Sequence, residues 1–132
     1  MILVDLNQVM ISNLMVQLGN QAGELDENLF RHMILNSLRS NRSKFTDKFG
    51  ELVICCDDKN FWRRQRFPYY KANRKKYREE STVDWSTVFN TLNKVREEIR
   101  DYFPYKVIKI DTAEADDIIG TIVTKYHNAE PI

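Results

Sequence analysis

Tyr105-Lys106-Val107-Ile108-Lys109-Ile110-Asp111-Thr112-Ala113-Glu114-Ala115-Asp116-Asp117-Ile118-Ile119 reads as a strand that runs into acid and then into a helix. Two earlier runs repeat the first half of that pattern: Ile2–Val4 ends at Asp5, and Leu52–Cys56 ends at Asp57 and Asp58. In a parallel α/β sheet the carboxyl ends of the strands share one edge, and ligands bind in the crevice outside it. Acids far apart in sequence then meet in one cleft, where their mutual repulsion is costly unless a positive partner joins them. Mg²⁺ or Mn²⁺, hard cations that prefer carboxylate oxygens, are the natural partners. The pattern therefore points to metal-assisted phosphoryl chemistry.

Around these strands the apolar residues recur at helical spacing. After Met1–Leu6, Asn7 stands where a helix cap belongs, and Met10, Ile11, Leu14, Met15 and Leu18 follow, with Gly19 as the stop. A second helix is expected from about Asp26 to Asn41 on a stripe of Leu29, Phe30, Met33, Ile34 and Leu38. Glu24, Asp26 and Glu27 lie near its start and Arg39 and Arg42 near its end, as the helix dipole favours. Leu52–Cys56 is a continuous apolar run suited to a strand buried on both faces. A short helix is expected around Tyr69–Lys76. Lys75–Asp84, dense in charge and without an apolar face, reads as a mobile loop. Trp85, Val88, Phe89, Leu92, Val95, Ile99 and Tyr102 mark a long helix capped by Asp84 and ended by Pro104. Thr112 is placed to cap the last helix, with a core face of Ala115, Ile118, Ile119, Ile122, Val123 and Tyr126. The order β-α-α-β-α-α-β-α is that of a layered α/β domain with a parallel sheet and right-handed crossovers. A fourth strand is expected where the chain stops, so the fold reads as incomplete at its carboxyl-terminal end.

Length and composition narrow the class. At 132 residues this is one domain, able to bury roughly two-thirds of its unfolded surface. No apolar run approaches the ~20 residues that span a bilayer, and no basic region precedes Ile2–Val4 as a signal peptide requires. Cys55 and Cys56, adjacent on a strand, point to opposite faces and cannot pair, so both read as reduced packing residues in a cytoplasmic protein. The net charge of +1 hides a segregation. Nine basic residues and no acid lie between Lys59 and Arg78, leaving eleven of the twenty bases against all nineteen acids elsewhere, a balance of −8.

The acids differ in weight. Glu114 and Asp117 share a helix face and Asp116 lies beside them, which ordinary N-terminal capping would also explain. Asp5 tips the balance: at the end of a buried strand it has no expected capping duty, and Asp57 repeats its position. Asp58 and Asp111 receive no role; Asp58 is expected to cap or to pair with an arginine.

The stretch Phe61-Trp62-Arg63-Arg64-Gln65-Arg66-Phe67-Pro68-Tyr69-Tyr70-Lys71-Ala72-Asn73-Arg74-Lys75-Lys76-Tyr77-Arg78 interleaves six of the fifteen aromatics with cations. Cations hold phosphates and aromatics stack on unpaired bases, the usual design for single-stranded nucleic acid. Phe61, Trp62 and Phe67 are the aromatics that an inward-packed core would claim. A helix through Lys71 and Arg74 would aim both cations one way, toward a scissile phosphate beside the acids. His32 reads as an interior histidine and His127 as a cation at a helix end.

Leu3-Val4-Asp5-Leu6-Asn7, Cys56-Asp57 followed by Phe61-Trp62-Arg63-Arg64, Tyr69-Tyr70-Lys71-Ala72-Asn73-Arg74, Arg78-Glu79-Glu80-Ser81-Thr82 and Glu114-Ala115-Asp116-Asp117 appear in order. Together they resemble the amino-terminal half of the 5′-nuclease (flap endonuclease) superfamily, and within it the phage branch that removes RNA primers and flaps from lagging-strand DNA. The resemblance implies a PIN-like/Rossmann-like sheet over residues 1–132, with a basic arch or gateway at about 59–84. It implies that Asp5, Asp57, Glu114, Asp116 and Asp117 serve magnesium or manganese, of which the complete enzyme holds two. Lys71 and Arg74 would contact the scissile phosphate as catalytic cations. Arg63, Arg64, Tyr70, Lys75, Lys76 and Arg78 would bind substrate, namely DNA or RNA–DNA with 5′ single-stranded ends. The implied location is the cytoplasm, that of the bacterial host for a phage protein. Relatives continue into further aspartates and a duplex-gripping element. A carboxyl-terminal polypeptide, or self-association through an open sheet edge, is accordingly an expected partner, and weak or no activity of this chain alone is expected.

Two other readings stand beside this one. A non-catalytic module would use the basic–aromatic stretch to bind single strands while the acids stay idle. A compact RNA-cleaving domain of the PIN type suits the length but not the long basic–aromatic insertion.

Overall fold

A computed structural model of the chain describes residues 1–20, 25–81 and 83–132. Glu24 and Thr82, named above, lie outside the described residues. The chain runs β1 (Ile2–Asp5), α1 (Leu6–Asn20), α2 (Glu27–Phe49), β2 (Leu52–Cys56), α3 (Trp62–Arg66), α4 (Ala72–Glu80), α5 (Trp85–Tyr102), β3 (Lys106–Lys109) and α6 (Ala115–Tyr126). The three strands form one parallel sheet in the order β1-β2-β3, with Asp5 opposite Cys55 and Cys56 opposite Lys109. This is the α/β sheet with flanking helices that the sequence pattern predicts. No helix among the described residues is long and apolar enough to cross a membrane.

Strand alternation divides the core in two. Val4, Ile54 and Cys56 pack beneath α1, α2 and α5, against Met10, Leu14, Phe30, Ile34, Leu38, Val95 and Ile99. Cys55, with Leu3, Val53 and Ile108, meets Ala115 and Ile118 of α6 on the other face. The two cysteines are therefore free and on opposite sides, and burial pushes the Cys55 thiol up to about 11 and that of Cys56 to about 12. Both are inert thiols at neutral pH.

Several elements differ from expectation. α2 runs to Phe49, two turns beyond Asn41, and ends at Gly50, whose φ of 85° and ψ of −151° only glycine adopts without strain. Lys75–Glu80 is helical rather than a loop; α4 lacks a buried residue, but Arg78 lies 5.3 Å from the Phe89 ring centroid and so ties it to α5. α3 is a helix the periodicity did not announce. Trp62 and Phe67 are exposed rather than packed inward, as are Val123 and Tyr126 at the end of α6. His32 is exposed too, bonded to Asn36 on its own helix. His127 stands at the end of α6, as expected, with its ring against the Val123 carbonyl.

Candidate metal and nucleic-acid site

The carboxyl ends of β1 and β2 and the first turn of α6 meet at one edge. α1 starts directly after β1, so Asp5 does have a capping duty: its Oδ1 accepts the Gln8 N–H at 3.2 Å. Asn7, expected as the cap, instead lies within α1 and donates to Asp57 Oδ2 at 2.9 Å. Asp57 Oδ1 accepts the Ala115 N–H at 2.6 Å and so holds the start of α6. Burial raises the Asp5 carboxyl above its ordinary range. The charges of Asp57 and Asp116 raise it further, against the pull of the Gln8 and Asn7 N–H groups. Three carboxylates from three elements thus share one electrostatic field.

Glu114 and Asp117 are engaged differently. Glu114, not Thr112, caps α6, in a capping box whose other half is Asp117 Oδ2 on the Glu114 N–H at 3.0 Å. The Glu114 carboxylate is almost fully buried, and it takes Lys71 Nζ at 2.5 Å and Arg63 Nη1 at 3.1 Å. Asp117 takes Arg63 Nη2 at 2.5 Å and Trp62 Nε1 at 3.1 Å. Burial pushes both acids up, but for Glu114 the Lys71, Tyr70 and Arg63 side chains outweigh it, and for Asp117 Arg63, the Glu114 N–H and Trp62 do. Both settle below the usual carboxylate range.

The cations divide in the same way. Arg63 bridges Glu114 and Asp117 and stacks on Trp62, 4.6 Å from its centroid. Lys71 is not a helical residue beside Arg74; it precedes α4 in the left-handed conformation, φ 54° and ψ 18°, with its ammonium 5.0 Å from the Tyr70 ring. Arg64 rests over Phe61. Arg74, Lys75 and Lys76 are exposed on α4, and none has an ion-pair partner among the described residues. Asp58 pairs with Lys109 rather than an arginine.

Oxygen donors in this number fit a hard divalent cation. Among the described residues, however, no three His, Cys, Asp or Glu side chains stand close enough together to hold an ion as placed. Ion binding here requires Asp5, Asp57 and Asp116 to turn toward one point. Each Glu114 oxygen already accepts from a cation, Arg63 on one and Lys71 on the other. Sequence reasoning missed the roles of Asn7 and Trp62; the signal for Asn7 was its place two residues after Asp5, and Trp62 had none of that kind.

Residues 30–132 match the family model for the 5′-3′ exonuclease N-terminal resolvase-like domain. The chain belongs to that family. It is also similar to the ribonuclease H of Enterobacteria phage T4, with 39% identity over 127 residues, covering 94% of this chain. The chain spans 41% of that relative's length. The family match coincides with the segment that contributes β2, the basic–aromatic stretch and the acidic turn of α6.

Proposed function

We propose that this chain provides the acidic edge and phosphate grip of a Mg²⁺- or Mn²⁺-dependent 5′→3′ nuclease acting on DNA or RNA–DNA with 5′ single-stranded ends, including primer RNA and flaps. The observation that carries the reading is the convergence of Asp5, Asp57 and Asp116 from three elements into one field, where the charges of Asp57 and Asp116 raise the cost of ionising Asp5. The ribonuclease H name of the phage relative and the exonuclease name of the family support the same chemistry.

Asp5, Asp57 and Asp116 would hold the ion, with Glu114 and Asp117 supporting it. When bound, a divalent cation supplies the Lewis acidity and charge that an in-line displacement at a phosphodiester needs. Lys71 and Arg63 already face the acidic edge, so an arriving phosphate meets two cations whose present partners are carboxylates. Arg74, Lys75 and Lys76 would follow the single strand outward, with Tyr70 beside Lys71 as a stacking surface.

The test is cleavage of a 5′-flap and an RNA–DNA hybrid in Mg²⁺ or Mn²⁺ by the wild type, Asp5→Asn and Asp116→Asn. Each substitution is expected to lower the rate by about 100-fold or more. Equal rates in all three proteins reject the assignment of the acids. Background cleavage by the wild type, together with salt-sensitive strand binding that Lys71→Ala and Arg74→Ala weaken, supports the non-catalytic binding module instead.

A further inference from the structure

The loop after β2 and the loop after β3 are laced together by bonds that the acidic edge does not use. Asp58 Oδ1 accepts from Lys109 Nζ at 2.9 Å, and its Oδ2 accepts the Thr112 N–H at 2.8 Å. The Asp58 N–H donates to the Ala113 carbonyl and the Trp62 N–H to the Thr112 carbonyl, both at 2.8 Å. Thr112 itself has a φ of 65°, the left-handed region, where a β-branched residue is an outlier. Such backbone persists only where its surroundings over-determine it. Here they do: both peptide groups flanking the strained residue are held by the β2–α3 loop.

Thr112 is two residues before Glu114, and α6 starts at Ala115 with its N–H on Asp57. The shape of this turn therefore sets where the first turn of α6 stands over the end of β2. We infer that Asp58 is a positioning residue: with Lys109 it clamps the 110–113 turn in its left-handed form and so fixes Glu114 and Asp116 relative to Asp57. Asp58 is not counted among the ion ligands, because its carboxylate is already neutralised by the Lys109 ammonium, whereas the partners of Asp57 are an uncharged amide and a backbone N–H. The inference rests on the reading that Asp57 and Asp116 hold a divalent cation.

The experiment is calorimetric titration of the 132-residue chain with Mn²⁺, together with amide exchange at Thr112 in metal-free buffer. Asp58→Ala is expected to speed exchange at Thr112 and to weaken Mn²⁺ binding about tenfold, as loss of a ligand-orienting partner does. Thr112→Gly removes the strain, so the turn no longer needs its clamp. The double variant Asp58→Ala/Thr112→Gly is expected to bind Mn²⁺ within about threefold of wild type. A purely structural Asp58 would lower the melting temperature without this selective rescue. Mn²⁺ binding by Asp58→Ala at wild-type strength overturns the inference, as does a double variant as weak as the single. Should Asp58→Ala not fold, the double variant alone decides, and its failure to fold or to bind counts against the clamp. If the wild type binds no Mn²⁺, or Asp57→Asn binds equally well, the metal reading fails instead, while exchange at Thr112 still reports on the clamp.

Discussion

Lys71 adopts a conformation that glycine enters freely, and an ion pair with a nearly buried carboxylate holds it there. Lys71→Ala loses that pair and leaves Glu114 to Arg63, at a cost on the order of 2 kcal/mol, less than for a fully buried pair because the lysine is partly exposed. Lys71→Gly loses the same pair but relaxes the backbone. It is expected to be roughly 1 kcal/mol more stable than Lys71→Ala, a difference that urea unfolding of the two variants resolves. Equal stabilities would mean that the left-handed turn is not strained. At this scale the places of Asp5 and Asp57 were legible, because an aspartate at the end of an apolar parallel strand stands at the carboxyl edge of the sheet. The conformation of Lys71 was not: nothing in Tyr70-Lys71-Ala72 resembles a glycine-bearing turn, and the ion pair that favours it is with the distant Glu114. Asp58 was illegible for a related reason, since its partners lie about fifty residues away, at the end of β3 and in the turn after it.

Elements pack here through ion pairs as well as through the apolar core, and α2 and α5 share two of them. Arg31 of α2 reaches Glu98 of α5 with Nε at 2.6 Å and Nη2 at 3.0 Å, and this bond holds the Glu98 carboxyl below its ordinary value. A depressed folded-state pKa contributes stability that is present above the unfolded value of 4.5 and is lost as pH falls through the folded value. Glu98→Gln should therefore cost about 0.5–1 kcal/mol at pH 7, discounted for partial exposure, and much less near pH 3. Thermal unfolding of both proteins at the two pH values measures this, and a pH-independent gap would assign the effect to packing. The helices that periodicity revealed are those with a buried stripe, such as Phe30, Ile34 and Leu38 in α2 or Val88, Leu92, Val95 and Ile99 in α5. α3 is five residues long and α4 has no buried residue, so neither has an apolar period to detect. The extension of α2 past Asn41 followed from the same limit: its stripe ends at Leu38, and the helix continues on propensity until Gly50 stops it.

For the whole molecule, the segregation of charge matters more than the net value of +1. A polyanion approaching the acidic surface is repelled, whereas the basic stretch between Lys59 and Arg78 offers it cations of two kinds. Arg63 and Lys71 are already paired with carboxylates, so a phosphate that takes them gains little net charge neutralisation until the acids find another cation. Arg74, Lys75 and Lys76 carry no such debt. They should therefore supply most of the counterion release when a single strand binds without metal, at about 0.7 in the slope of log K against log salt for each phosphate neutralised. Replacing all three by alanine is expected to lower the magnitude of that slope by about 2 for an oligothymidylate in EDTA, while affinity falls at every salt concentration. Lys44→Ala/Lys48→Ala, on the distal part of α2, removes two cations that lie over Phe45 and Phe49 and should leave the slope unchanged. Fluorescence anisotropy across a salt series makes the comparison. Equal losses of slope in the two sets would show that the strand responds to diffuse positive charge and not to a path along α4. If only the α4 set loses slope, the proposed metal dependence predicts that restoring divalent ions brings Lys71 and Arg63 into play, because an ion among the acids would compete with both cations for the carboxylates and free them for phosphate.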